Sequence, residues 1–129
     1  MSIDVGAPGG IPNGALFISN SSGNQANANA VGTLTVTTSR LAYLSGFIMT
    51  AAGATAAAVV NCTITGVVNG TMTFTYAAPA GVTVQGPTII VNFAPAALVG
   101  NPANNIVVTL PALGAGNTDA AVIVWGYLL

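Results

Sequence analysis

The side chains able to do chemistry are few enough to name. The 129-residue chain has three charged residues, Asp4, Arg40 and Asp119, a single thiol at Cys62, phenols at Tyr43, Tyr76 and Tyr127, and no Lys, Glu or His. General acid–base catalysis near neutral pH draws on His, Glu, Asp and Lys, and three of those four types are missing. Cys62 has no His to take its proton, and Arg40 is the one cation that could favour a thiolate. Asp4 falls in a Gly/Pro-rich N-terminal stretch, which leaves Asp119 without a second group to work with. The expectation is a protein that is not an enzyme.

The same inventory limits what the chain can bind. A structural zinc site needs four Cys or His ligands, and a calcium site needs clustered carboxylates, so neither a metal nor a cofactor is expected. Nucleic-acid affinity comes largely from Lys and Arg neutralising phosphates, and one Arg is too few. "GAGN", Gly114 to Asn117, lacks the basic residue and the strand–helix context of a phosphate cradle. One cysteine cannot close an intrachain disulfide. The opening "MSIDVGAPGGIPNG" has no basic segment followed by an apolar one, so synthesis in the cytoplasm without a signal peptide is expected. Asn20, Asn61 and Asn69 begin N-x-S/T triplets, which the abundance of Asn and Thr accounts for.

These residues must be carried by some framework, and "RLAYLSGFIMTAAGATAAAVV", Arg40 to Val60, offers two. It has the length of a membrane-spanning helix, but Gly46, Gly53, Ser45, Thr50 and Thr55 interrupt it, and each Gly lowers helix propensity by about 1 kcal/mol. The flanking sequence alternates with period two. "TLTVTT" puts Leu34 and Val36 on one face, "TIIVNFA" puts Ile89, Val91 and Phe93 together, and "NIVVTL" does the same with Ile106, Val108 and Leu110. β-Branched residues at that period mean strands. The stretch is therefore two strands and a turn, with Tyr43, Phe47 and Met49 sharing a face, and no membrane span is expected.

"TITGVVNGTMTFTY" has a hairpin signal at Asn69-Gly70. A two-residue turn there would put Ile64 and Phe74 on opposite faces. A three-residue loop, Val68 to Gly70, sets Ile64 against Phe74 and Cys62 against Tyr76, with the threonines together on the other face. A one-residue slip flips every side chain, so the pattern selects the longer loop. Pro79, Pro95 and Pro111 each follow a strand at sixteen-residue spacing. They are expected to end the strands, with a short β-solenoid as the alternative fold.

Eight strands result: one near Leu16, then Thr33–Thr38, Leu41–Thr50, Ala57–Gly66, Thr71–Ala77, Thr88–Ala94, Ile106–Leu110 and Ala121–Leu128. This is all-β, an antiparallel β-sandwich in the form of an eight-stranded jelly roll. Residues 1–32, rich in Gly, Pro, Asn and Ser, form an extended N-terminal arm with one short strand, and residues 33–129 the sandwich domain. In "AAVIVWGYLL" both faces are apolar. With Ile123, Trp125 and Tyr127 turned to the core, Val122, Val124 and Leu128 are the expected subunit interface of a homo-oligomer. Cys62 is expected as a small buried hydrophobe. Arg40 and Asp119, each just ahead of a strand, are candidates to pair.

From "LAYLSGFIMTAAGATAAAVVNCTITGVVNGTMTF" to "AVIVWGYLL", about residues 33 to 129, the chain resembles the small Ala/Gly/Thr/Val-rich β-sandwich decoration (cement) and head-fibre proteins of tailed-bacteriophage virions. The likeness is one of composition, strand spacing and hairpin style. It implies a non-enzymatic structural protein on the capsid surface, a homotrimer, with the major capsid protein or another virion protein as partner and the arm as a hook. The chain also resembles the trimeric jelly-roll domains of the tumour-necrosis-factor and C1q type on bacterial spore surfaces, without their collagen-like Gly-X-Y region. A self-assembling filament or sheath subunit is a further alternative. A carbohydrate-binding module using Tyr43, Tyr76 or Trp125 is another.

Overall fold

β-Branched and aromatic residues at every second position fold into strands here, and no helix occurs among the described residues. The computed structural model describes residues 12–113 and 116–129. The strands are β1 Leu16–Ser21, β2 Ala30–Leu34, β3 Ala42–Ala52, β4 Ala58–Thr65, β5 Met72–Ala78, β6 Ile89–Asn92, β7 Leu98–Val99, β8 Ile106–Leu110 and β9 Asp119–Leu128. They form two antiparallel sheets. Sheet A runs β1-β9-β3-β6, with β7 also paired to β3, and sheet B runs β2-β8-β4-β5. Ladders between neighbours in space but not in sequence rule out the solenoid alternative. Arg40 to Val60 is β3, a loop and the start of β4, and among the described residues no helix is long and apolar enough to cross a membrane.

The core lies between the sheets. Sheet A contributes Ala42, Leu44, Phe47, Met49, Val122, Val124 and Leu128, and sheet B contributes Leu34, Cys62, Ile64, Tyr76, Ile106, Val108 and Leu110. Alternation alone assigned the inward residues of β8 and the pair Ile89 and Val91 correctly. In β3 it did not carry through. A bulge at Ser45 sets Leu44 opposite Gly126 but Gly46 opposite Trp125, so parity changes within the strand. Phe47 and Met49 point inward as expected, whereas Tyr43 points out beside Tyr127.

The β4–β5 hairpin keeps the expected faces in a different register. Ile64 pairs with Met72 and Cys62 with Phe74, two residues from the Ile64–Phe74 and Cys62–Tyr76 pairing anticipated. A shift of two preserves the face of every side chain. The connection is longer because Gly66, at φ 81°, turns Val67 into the core, where it bridges Gly100. The Val68 amide then donates to the Val99 carbonyl at 2.8 Å. That contact spans over thirty residues and has no local signal.

Residues 12–32 supply β1 and the first part of β2, so the boundary drawn after residue 32 runs through a strand whose Ala30 is core. Residues 1–11 of the expected arm lie outside the described residues. The Asn- and Ser-rich link between β1 and β2 is stitched to the end of sheet A by its side chains. Ser22 Oγ accepts from the Val122 amide at 2.9 Å, Asn24 Oδ1 from Ala120 at 3.2 Å, and Asn27 Oδ1 from Asn117 at 3.0 Å. Asn20 Oδ1 accepts from Thr33 at 2.9 Å, tying the β1 edge to the β2 edge. In a chain almost without charges, amides and hydroxyls take over the side-chain fastening of backbone groups.

Candidate functional site

Of the sequence-derived candidates, the structure brings none together as a reactive group. Cys62 is fully buried, and burial pushes its thiol up to about 11. Such a thiol stays protonated at neutral pH and is not a nucleophile. Tyr76 is also fully buried, and its hydroxyl donates to the Pro87 carbonyl at 2.6 Å. That removes it from any sugar platform. Arg40 and Asp119 do not pair: Arg40 Nη1 donates to the Leu128 carbonyl at 3.2 Å, at the far end of β9 from Asp119. In "GAGN", residues 114 and 115 lie outside the described residues. Asn117 is buried with its side chain engaged, accepting from Leu113 and donating to the Gln25 carbonyl, each at 3.3 Å.

The two faces of β9 are the reverse of the expectation. Val122, Val124 and Leu128, anticipated as a subunit interface, lie in this chain's own core at 0, 0 and 1% exposure. A face covered by sheet B cannot also meet another subunit. Both faces of the strand are apolar, so the period could say that two faces exist without saying which is inner. The face left outside carries Ile123, Trp125 and Tyr127.

The registers extend that outer face across sheet A. One row reads Phe17, Tyr127, Tyr43, Val99 from edge to edge. The next reads Ser19, Trp125, Gly46, Asn92, and the third Ser21, Ile123, Ile48, Ile90. The Tyr43 and Tyr127 rings stack at 4.8 Å with 12° between their planes. Trp125 lies across Gly46, where a Cβ would strike the indole ring and the Val91 carbonyl. Glycine at that position allows the aromatic to lie against the sheet. Phe17 at 51%, Ile90 at 65% and Ile123 at 41% exposure stand open to solvent around this centre. Three rows over four strands span about 14 Å each way, roughly 200 Å² in all, an apolar centre bordered by Ser19, Ser21 and Asn92.

The outer face of sheet B is built from other residues. Its rows read Val31, Thr109, Thr63, Thr73, then Thr33, Val107, Thr65, with Asn61 opposite Thr75. Hydroxyls and methyls alternate there, and Val59, opposite Ala77, stands 71% exposed beyond Asn61.

Concave features are shallower. A cleft of about 220 Å³ opens beside Phe74 and Phe93, which flank Phe47 at centroid distances of 5.8 and 6.4 Å. A larger one, about 640 Å³, includes Arg40 and Leu41. Among the described residues no group of three or more His, Cys, Asp or Glu side chains could hold a metal.

No protein family, curated protein or solved structure matches this chain.

Proposed function

We propose that the chain is a non-enzymatic structural subunit that self-associates through the outer face of sheet A, and that the assembly decorates and stabilises a virion exterior. The apolar outer face of sheet A carries this reading. Exposed apolar area of that extent, without a charge in it, favours burial against another surface. A second copy suits it, because an uncharged face meets its own copy without like-charge repulsion.

The fold we propose in detail is the jelly roll. Supporting it is the strand order itself: β1-β9-β3-β6 faces β2-β8-β4-β5, and β4–β5 is the hairpin about which the chain doubles back. Placement on a virion draws on the likeness to phage decoration proteins and on a surface suited to varied salt, pH and proteases. Trypsin has one cleavage site in the whole chain, at Arg40. A homotrimer on the major capsid protein is the arrangement that likeness favours.

The test is the native mass of the wild type beside the Ile90→Thr/Ile123→Thr variant, in detergent-free buffer. A discrete oligomer, most informatively a trimer, that falls to monomers in the variant supports the reading. An oligomer of unchanged mass in the variant removes sheet A's face from it. The virion role is tested by rebinding to stripped tailed-phage capsids. The half-buried Trp125 and Tyr43 on the outer face favour a second reading, a glycan platform: a wild-type monomer retarded on a glycan column would put it first.

A further inference from the structure

We propose that copies of this chain also join end to end, the Arg40 end of one receiving the Asp119 end of the next. This rests on the chain being a self-assembling structural subunit, but not on which sheet face it uses. The two ends of the sandwich differ in shape and in charge. At one end, between β2 and β3 and between β7 and β8, lies the cleft of about 640 Å³, walled by Val36, Leu41, Pro102 and Ala103 together with the hydroxyls of Thr37, Thr38 and Ser39. Arg40 sits in its lining, held there by the bond from Nη1 to the Leu128 carbonyl.

At the other end Asp119 opens β9, exposed, opposite Ala52, which in turn bridges Gln85. The loop between β5 and β6 that contains Gln85 presents Val82 at 76% exposure. Backbone bonds fix that loop. Gly81 donates to Ala54 at 2.9 Å, Val84 to Gly81 at 3.1 Å, Gly53 to Val84 at 3.0 Å and Gly86 to Ala51 at 2.9 Å. A fixed loop with an apolar tip loses little entropy on docking.

One end is thus a cleft of apolar and hydroxyl side chains with a cation, and the other carries the apolar tip at Val82 with an anion, Asp119, which lines a smaller cleft of about 260 Å³. Ten residues of β9 hold the charges about 30 Å apart within a chain, so only separate copies can bring them together. Two copies meeting by the same end would oppose Arg40 to Arg40 or Asp119 to Asp119. The complementary contact is head to tail, and such a contact propagates unless its rotation closes a ring.

The experiment is light scattering at low salt on wild type, Arg40→Asp, Asp119→Arg and the double variant, all full-length. We expect each single variant to weaken growth beyond the closed oligomer by about tenfold, and the double to restore it. An equimolar mixture of the two singles should also grow, since each supplies the end that the other needs. Val82→Ser leaves the charges intact and should weaken growth several-fold. Singles that grow like wild type, or a double as weak as its parents, would overturn the proposal. So would loss in Arg40→Asp with none in Asp119→Arg, which would assign the cleft to the segment carrying Asp4. Repeating the set on the Ile90→Thr/Ile123→Thr background separates the two readings. Charge-dependent growth there supports the end contact even where the face reading fails. Closed oligomers that never grow sink the end contact alone.

Discussion

The two outer faces of this sandwich are made by the same strand geometry from different residues. Sheet B shows water a lattice of threonines: Thr63 beside Thr73 and Thr109, and Thr65 beside Val107. Sheet A presents stacked Tyr43 and Tyr127, Trp125 flattened over Gly46, and an isoleucine row ending at Ile90. The self-association proposed above would use that asymmetry, since a face left in water is better hydrated with hydroxyls. It fits a body that keeps one side wet and covers the other. With no charges to separate the roles, the difference is made by hydroxyl against aromatic alone.

Four measurements would break or sharpen the contrast. The largest effect is expected inside it. Val122→Thr with Val124→Thr places two hydroxyls in the core, and the fold should lose about 2–5 kcal/mol in denaturant melts. A change of oligomer mass at constant stability would show that the faces of β9 had been assigned backwards.

Gly46→Ala comes next. Its methyl meets the Val91 carbonyl as well as Trp125, so part of the strain falls on backbone. A loss of about 1–3 kcal/mol is expected, with Trp125 fluorescence shifted as the ring lifts. An unchanged spectrum would mean that the indole does not lie against the glycine.

Thr63→Val with Thr73→Val makes the wet face resemble the dry one. Stability should move by less than about 0.5 kcal/mol while association rises above that of the wild type. No gain in association would show that apolar character alone does not make a face adhesive here.

Near neutrality pH has the smallest effect. No group on either face titrates between about pH 5 and 8, so the unfolding midpoint should be flat there and indifferent to salt. In alkali the sign is set by Cys62. Its thiol holds its proton in the folded state up to about 11, against 9.0 as its ordinary value. The unfolded chain therefore ionises first, and stability is complete below pH 9 and declines as pH rises toward 11. The loss is about 3 kcal/mol. Burial raises Tyr76 and Tyr127 as well, which extends the decline in the same direction. Cys62→Ala should remove the earlier part of it, and a decline unaltered in that variant would exclude the thiol as its source.

Much of the framework was legible along the chain. Period-two runs located the strands from β3 to β6, and β8 and β9 as well, and the faces of the β4–β5 hairpin followed from apolar–threonine matching. Two-residue β7 carries no periodic signal, and it exists because β3 offers it an edge. The Asn-rich link looked structureless because its order comes from Asn24, Asn27 and Ser22 reaching amides about ninety or more residues away. The candidate site was hidden for a related reason. Tyr43 was placed inward because the bulge at Ser45 is invisible to alternation, and Trp125 because large aromatics more often face a core.

Composition by itself determined which ionisable side chains the chain lacks, and local alternation determined that it is sheet. Both follow from the residues alone, because the presence of a side-chain type and the pleat need no partner to be defined. Only the tertiary structure decided which side of β9 is inside, where β3 changes parity, and that Arg40 and Asp119 stand at opposite ends. Each of these depends on which strand lies alongside which. A face that is apolar on both sides becomes inner or outer only when a second sheet covers one of them.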